Sequence, residues 1–213
     1  MWFEDFVFRA LPCLTALVLA LGLIARFWRI RKLGWEKEEQ EERGDPIKGA
    51  LSAVTLELLP WVELPAKRGP LHYSIGLLMH ISIIALLVIY YTPLASLLGL
   101  EQLATQASTY LSALALITSV ILLARRVHGL MTKNAVGMLT DKQDVFDLAL
   151  VVLLAASWLN TSLAFSTFSF AINALILQII LIYTPFSKFI HPAMFFAMRL
   201  YTGYQRGMRG EVR

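Results

Sequence analysis

The sequence predicts an all-α integral membrane protein, a bundle of five transmembrane helices. Two observations carry that expectation. Of 213 residues, 57% are hydrophobic and 16% charged, and the apolar residues are gathered into long uncharged blocks rather than spread at amphipathic spacing. A helix needs about 20 mainly apolar residues to cross a hydrocarbon core of roughly 30 Å, and five stretches meet that length: 6–27, 71–92, 103–124, 148–166 and 170–190. Together they predict one transmembrane domain over 1–213, with 29–70 and 197–213 outside the membrane as segments that dock a partner.

The first span follows Glu4 and Asp5 and ends in ARFWRIRK. That flank suits a stop-transfer sequence better than a cleavage site, so the helix is read as retained. Cys13 is the single cysteine, has no internal disulfide partner and is read as a packing residue. The segment EKEEQEERGDP carries mixed charge and is expected to be a solvated face or helix end that meets a soluble partner. Residues 48–64, KGALSAVTLELLPWVEL, are apolar but interrupted by Glu57 and ended by Pro60; they either lie along the membrane interface or meet the partner. The second span is LHYSIGLLMHISIIALLVIYY, and the third runs into LLARRVHG.

The last two spans come from one uncharged block, Leu148 to Ser187, which is too long for a single crossing. Its polar cluster, Asn160, Thr161, Ser162, Ser166, Thr167 and Ser169, marks the expected hairpin. The fifth span is expected to continue through His191 into FFAMRLYTGYQRGMRGEVR, whose aromatic and basic residues suit a membrane–water boundary. Orientation follows from Lys and Arg, which are retained on the cytoplasmic side. Residues 26–70, 125–147 and 188–213 share one side and hold all the cationic residues except Arg9, so the N-terminus is expected outside and the C-terminus in the cytoplasm. The net charge of +4 is accounted for by that side and does not point to nucleic acid. There is no nucleotide fingerprint, cysteine-pair metal motif or internal repeat.

The chemistry rests on four histidines, His72, His80, His128 and His191. The expected topology puts all of them toward the cytoplasmic half. Ionisable groups within a membrane are costly and usually face the bundle interior, and neutral imidazole is an axial ligand of haem iron that two helices can supply together. His80 and His191 match best in depth, each about 12 Å from its helix's inner edge at 1.5 Å per residue. Against this stands the plainer reading that a membrane histidine hydrogen-bonds to a neighbouring helix. His72 and His128 sit at the boundary, where a solvated or headgroup role competes with ligation. Met79, Met131, Met138, Met194 and Met198 are alternative axial ligands that more often serve as packing residues.

The stretch LIYTPFSKFIHPAMFF, residues 181–196, resembles the last helix of the cytochrome b subunits of respiratory nitrate reductase (its gamma subunit), of membrane-bound heterodisulfide reductase and of the menaquinol-linked complex of dissimilatory sulfite metabolism. The shared signature stands here as Pro185, Phe186, Ser187, Lys188, Phe189, Ile190 and His191. LLARRVHG and the Asp147 ahead of the fourth span are also similar. The resemblance covers most of the chain, and only the Pro185–His191 motif is specific.

The resemblance implies haem b ligated by His80 and His191. Two-haem members carry further histidines ten residues after the first and eighteen before the last. Those positions here are Tyr90 and Asn173, so both partners of an outer haem are missing together and a single inner haem is expected, with His72 as the alternative to His80 should the second span slide, and with a second haem on His72 or His128 as the alternative that breaks the family's pattern. Arg68, Arg125, Arg126 and Lys188 are candidates to pair with haem propionates, or are simply positive-inside residues. The resemblance further implies electron relay between a lipid-soluble carrier, menaquinone or methanophenazine, and a cytoplasmic iron–sulfur subunit in anaerobic respiration. His72, Tyr73 and His128, with Lys188, are candidates for the quinone pocket. Catalysis on the terminal substrate is expected in a partner subunit. Two rival readings differ in class: a cofactor-free anchor that recruits a soluble enzyme, and a small transporter, which ranks lowest because no broken-helix pair is evident.

Overall fold

The computed structural model describes residues 2–32, 43–56, 70–133, 140–164 and 166–211. These residues form helices and turns with no strand among them. Five helices are long and apolar enough to cross a membrane: α1 (Trp2–Lys32), α3 (Pro70–Tyr91), α4 (Glu101–Thr132), α5 (Lys142–Leu163) and the span Thr167–Phe186, whose α-helical part is α6 (Thr167–Tyr183). Further helices are α2 (Pro46–Val54), α7 (His191–Met208) and a single turn at Leu94–Leu97. The chain divides into two compact units, the first built from residues 1–21 and 74–188 and the second from 22–73 and 189–213.

In the first unit many large aliphatic side chains face outward, as lipid allows, and hydroxyl and amide groups share the interior with apolar ones. Leu14, Leu17, Leu77, Ile81, Ile84, Ile117, Ile121, Leu153 and Ile179 are exposed, whereas Ser82, Ser108, Ser112, Thr118, Ser119, Thr161 and Asn173 are buried. Lipid tails offer no hydrophobic drive between helices, so small residues and internal hydrogen bonds set the packing. Ser108, Ser112, Ala115 and Ser119 recur at helical spacing along α4, and α5 packs against it with Val151, Leu154, Ala155, Trp158 and Thr161 buried. The Ser112 and Ser162 hydroxyls approach to 3.4 Å between the two helices.

Two amides on α6 tie it to its neighbours. Gln178 donates to the Val7 carbonyl at 2.8 Å and accepts from the Thr15 hydroxyl at 3.3 Å. Val7 lies in a π turn, Phe6–Ala10, at the start of α1, and it packs against Ala171 and Ala174. Asn173, fully buried, accepts from the Tyr91 hydroxyl at 2.6 Å and donates to the Ser157 hydroxyl at 2.7 Å. One side chain thus links α3, α5 and α6.

The expected hairpin after the fourth span is present but tighter: α5 ends at Leu163 and α6 starts at Thr167. Ser166 and Ser169 form a reciprocal capping box there, which satisfies the first amides of α6. The start of α5 differs more. The helix begins at Lys142, because Asp141 and Asp144 cap it reciprocally, and Asp147 therefore sits in its second turn rather than ahead of it.

The largest departure concerns the fifth span. It does not run on through His191. The α-helix stops at Tyr183 and gives way to tight turns over Thr184–Phe186 and Lys188–Ile190, and a new helix opens at His191. Pro185 has no amide hydrogen to continue the ladder, and Ser187 is fully extended.

In the second unit α2 and α7 form an antiparallel hairpin whose contact line is backbone. Asp45 caps α2 by accepting from the Ile47 and Lys48 amides, and Pro46 occupies the first turn. A Cβ on Gly49 would meet the Gly203 carbonyl at 2.3 Å, one on Gly203 the Ala53 Cβ at 2.5 Å, and one on Gly207 the Asp45 carbonyl at 2.5 Å. The Arg43 amide donates to the Met208 carbonyl at 2.8 Å, and the Arg199 guanidinium reaches the Ala53 carbonyl at 3.3 Å.

Gly207→Val is expected to destabilise this hairpin by about 1–3 kcal/mol, the usual cost of overpacking. Hydrogen exchange would report it as lost amide protection confined to α2 and α7, and unchanged protection would refute the contact. Asn173→Ala is expected to cost about 1–2 kcal/mol of bundle stability by stranding Tyr91 and Ser157, measured as a lower thermal midpoint in detergent.

Candidate functional site

The densest polar cluster lies where α4 ends, α5 begins and the fifth span breaks. The Lys188 ammonium donates to Asp141 Oδ2 and to Asp144 Oδ1, both at 2.8 Å. Asp144 is the better shielded acid, its side chain 16% exposed against 56% for Asp141. Asp144 also lies 3.7 Å from the Arg126 guanidinium, which donates to the Thr140 hydroxyl at 3.0 Å. Asp147 is buried one turn further on, next to Tyr183 and the Lys188 backbone. Its Oδ1 has no hydrogen-bond partner among the described residues.

The electrostatics follow from these contacts. The hydrogen bond from Lys188, reinforced by the Asp144 amide, holds the Asp141 carboxyl below its ordinary range. The same bonds to Asp141 and Asp144 push the Lys188 ammonium above its ordinary value. Lys188 and Arg126, read from the sequence as candidate propionate partners, are thus both engaged by carboxylates of the first unit. Arg125 is exposed on α4, and Arg68 lies outside the described residues.

The histidines fall in both units. His80, on α3 in the first unit, is exposed on the face that carries Leu77, Ile81 and Ile84. Its Nδ1 lies 2.7 Å from the Gly76 carbonyl. A carbonyl only accepts, so Nδ1 is the donor, as in metal-bound histidines that give their other ring N–H to a carbonyl. His128 is exposed on α4, and the Thr132 hydroxyl bonds to its carbonyl. In the second unit His72 and Tyr73 are half-buried at the start of α3, and His191 is exposed as the first residue of α7. His191 therefore lies outside the five helices long and apolar enough to cross a membrane, and a continuous fifth helix no longer carries it.

No group of three or more His, Cys, Asp or Glu side chains able to hold a metal ion occurs among the described residues. A bis-imidazole haem needs two histidines and falls outside that pattern.

The two positions that the resemblance assigned to the missing outer-haem ligands, Tyr90 and Asn173, are engaged in packing and hydrogen bonds. Tyr90 and Tyr91 lie 6.2 and 6.0 Å, centroid to centroid, from Phe170, and Phe8 stacks on the same ring at 5.5 Å. Asn173 is engaged by Tyr91 and Ser157, as described above. The sequence reading missed the acidic partners of Lys188. Their signal was the pair Asp141 and Asp144, three residues apart at the head of an apolar run, which is a helix-start pattern. It also missed the pairing of α2 with α7, whose signal was Gly49-xxx-Ala53 against Gly203-xxx-Gly207.

Comparison with known proteins adds no family to this geometry, since no family model, curated protein or solved structure matches the chain.

The two pKa shifts set a window for the tie between Lys188 and the head of α5. Asp141's value is depressed, so its contribution is present above the ordinary carboxylate pKa and is lost as pH falls through the depressed value. Lys188's value is raised, so its contribution is present below the ordinary lysine pKa and is lost as pH rises through the raised one. At neutral pH the amides of 141–147 are therefore expected to exchange more slowly in the unmodified chain than in Lys188→Met, with the difference closing below the carboxylate range. Equal exchange at neutral pH would show that the tie contributes nothing.

Proposed function

We propose that this chain is the haem b subunit of a cytoplasmic-membrane oxidoreductase of anaerobic respiration, similar in role to the membrane subunit of heterodisulfide reductase, with its N-terminus outside and its C-terminus in the cytoplasm. The observation that carries the reading is the motif Pro185–His191. Its proline and extended serine end one helix and start another, which brings a histidine to the head of α7.

His80 and His191 are the residues that would hold the haem, His80 with its Nδ1 side turned to the Gly76 carbonyl of its own helix. When bound, haem b supplies one-electron transfer, at a potential tuned by its ligands and by nearby charge. Arg125, exposed on α4, is the first candidate for a propionate, because Arg126 and Lys188 are already held by carboxylates. The engagement of Tyr90, Tyr91 and Asn173 in packing and hydrogen bonds supports one haem rather than two. His72, Tyr73 and His128 are the groups offered to a quinone-type carrier, menaquinone or methanophenazine, whose reduction or oxidation needs a donor and a proton route. An iron–sulfur subunit on the cytoplasmic face would exchange electrons with the relay, and the substrate chemistry belongs to such a partner.

A second reading, a cofactor-free membrane anchor, is favoured by one observation. His80 is exposed and already bonded within its own helix, as a histidine with no metal to bind would be.

The deciding measurement is a dithionite-reduced minus oxidised spectrum with haem quantification on protein purified with its native partners, repeated for His80→Ala and His191→Ala. One haem b per chain, lost in both variants, is the expected result. Absence of haem from the unmodified protein would establish the anchor instead. Two haems per chain would return His72 or His128 as a ligand.

A further inference from the structure

The hairpin of α2 and α7 is amphipathic as a unit. Rotation by about 100° per residue from the glycine contact line places Ala50, Val54, Ile47 and Leu51 around one flank and the back of α2. The same rotation on α7, from the line through Gly203 and Gly207, reaches Leu200, Tyr204, Ala197 and Tyr201. The helices are antiparallel, with Gly207 against Pro46 and Gly203 against Gly49, so equal rotations fall on the same side of the pair. Lys48 and Thr55 on α2, and Arg199, Thr202, Arg206 and Arg209 on α7, fall on the other side, together with Phe195, over whose ring the Arg199 guanidinium lies. Ile47, Leu51, Leu200 and Tyr204 are 68, 57, 43 and 39% exposed, so the apolar side is open on both helices.

We propose that this apolar side rests in the interface of an anionic lipid surface, with the hairpin lying flat along the membrane and its basic side turned to water. Three observations select lipid as the occupant. Only residues 187–190 separate the end of the fifth span at Phe186 from the start of α7, and the five Cα–Cα steps between them reach at most about 18 Å, so the helix begins within reach of the membrane surface. The side that faces lipid mixes aliphatic residues with Tyr201 and Tyr204, the composition of a membrane interface. Residues 43–56 and 189–211 contain five Lys or Arg, namely Arg43, Lys48, Arg199, Arg206 and Arg209, against the two acids Asp45 and Glu211, an excess that complements anionic headgroups. The glycine contact makes the two helices one rigid plate, which presents a broader apolar strip than a single helix. None of this depends on the haem.

The test uses the full chain in a Cys13→Ser background with one cysteine at a time, Leu51→Cys, Tyr204→Cys, Lys48→Cys or Thr202→Cys, each at an exposed position and labelled with an environment-sensitive fluorophore. The protein is placed at one copy per nanodisc, in phosphatidylcholine alone or mixed with phosphatidylglycerol. The labels at 51 and 204 are expected to lose fluorescence to a lipid-borne shallow nitroxide and to resist aqueous iodide, with the reverse at 48 and 202, and phosphatidylglycerol is expected to strengthen the lipid quenching. Equal iodide quenching at all four sites would overturn the proposal and leave the apolar side to a protein partner. Shielding of 51 and 204 that appears only with two copies per disc would overturn it in favour of a second copy of this chain. Identical quenching in the two lipids would overturn the anionic component.

Discussion

In a membrane, helices gain nothing by hiding leucine from leucine, so a bundle must be fixed by contacts that lipid cannot imitate. In the first unit that constraint is met largely by α6. Gln178 reaches α1 through Thr15 and the Val7 carbonyl, and Asn173 reaches α3 and α5 through Tyr91 and Ser157. Around these two amides, the serines and alanines of α4 and α5 let backbones approach, while the large aliphatic side chains point outward. The π turn in α1 belongs to the same arrangement, because Gln178 supplies a donor to a carbonyl within that turn.

The same logic explains how much of the structure could be read in advance. Five spans were legible because length and hydropathy suffice to detect them, and the fold-back near Ser166 was legible because a block from Leu148 to Ser187 cannot cross only once. Helix ends were not legible from hydropathy. Asp141 and Asp144 extend α5 backward into charged sequence through a capping box, and Pro185 with Ser187 interrupts a run that stays apolar on both sides. The histidines could be found as residue types, but their grouping could not. His191 lies beyond the interruption, at the head of a different helix, so the eight residues from it to Arg199 run along that helix and not along the fifth span.

Lys188 illustrates a related limit. As a letter beside a histidine, it is a basic residue at a membrane boundary. Folded, it joins the end of the fifth span to the start of the fourth through two carboxylates, one of which also lies beside Arg126 from the third. Three helices meet at one charged knot, and the helix interruption that separates His191 from the fifth span is held by that knot at Lys188. The sequence contains every residue involved, but the partners of Lys188 lie 44 and 47 residues away.

The glycine contact between α2 and α7 has a different kind of consequence. Since the two helices touch largely through backbone, the small residues Gly49, Ala53, Gly203 and Gly207 set their pairing, with Gly44 beside Gly207 and the Arg199 side chain on the Ala53 carbonyl. The remaining surface is left unconstrained by the contact itself. Substitutions at Ile47, Leu51, Leu200 or Tyr204 can accumulate without disturbing the pairing, so this small plate can be refitted to a new neighbour one residue at a time while its scaffold stays unchanged.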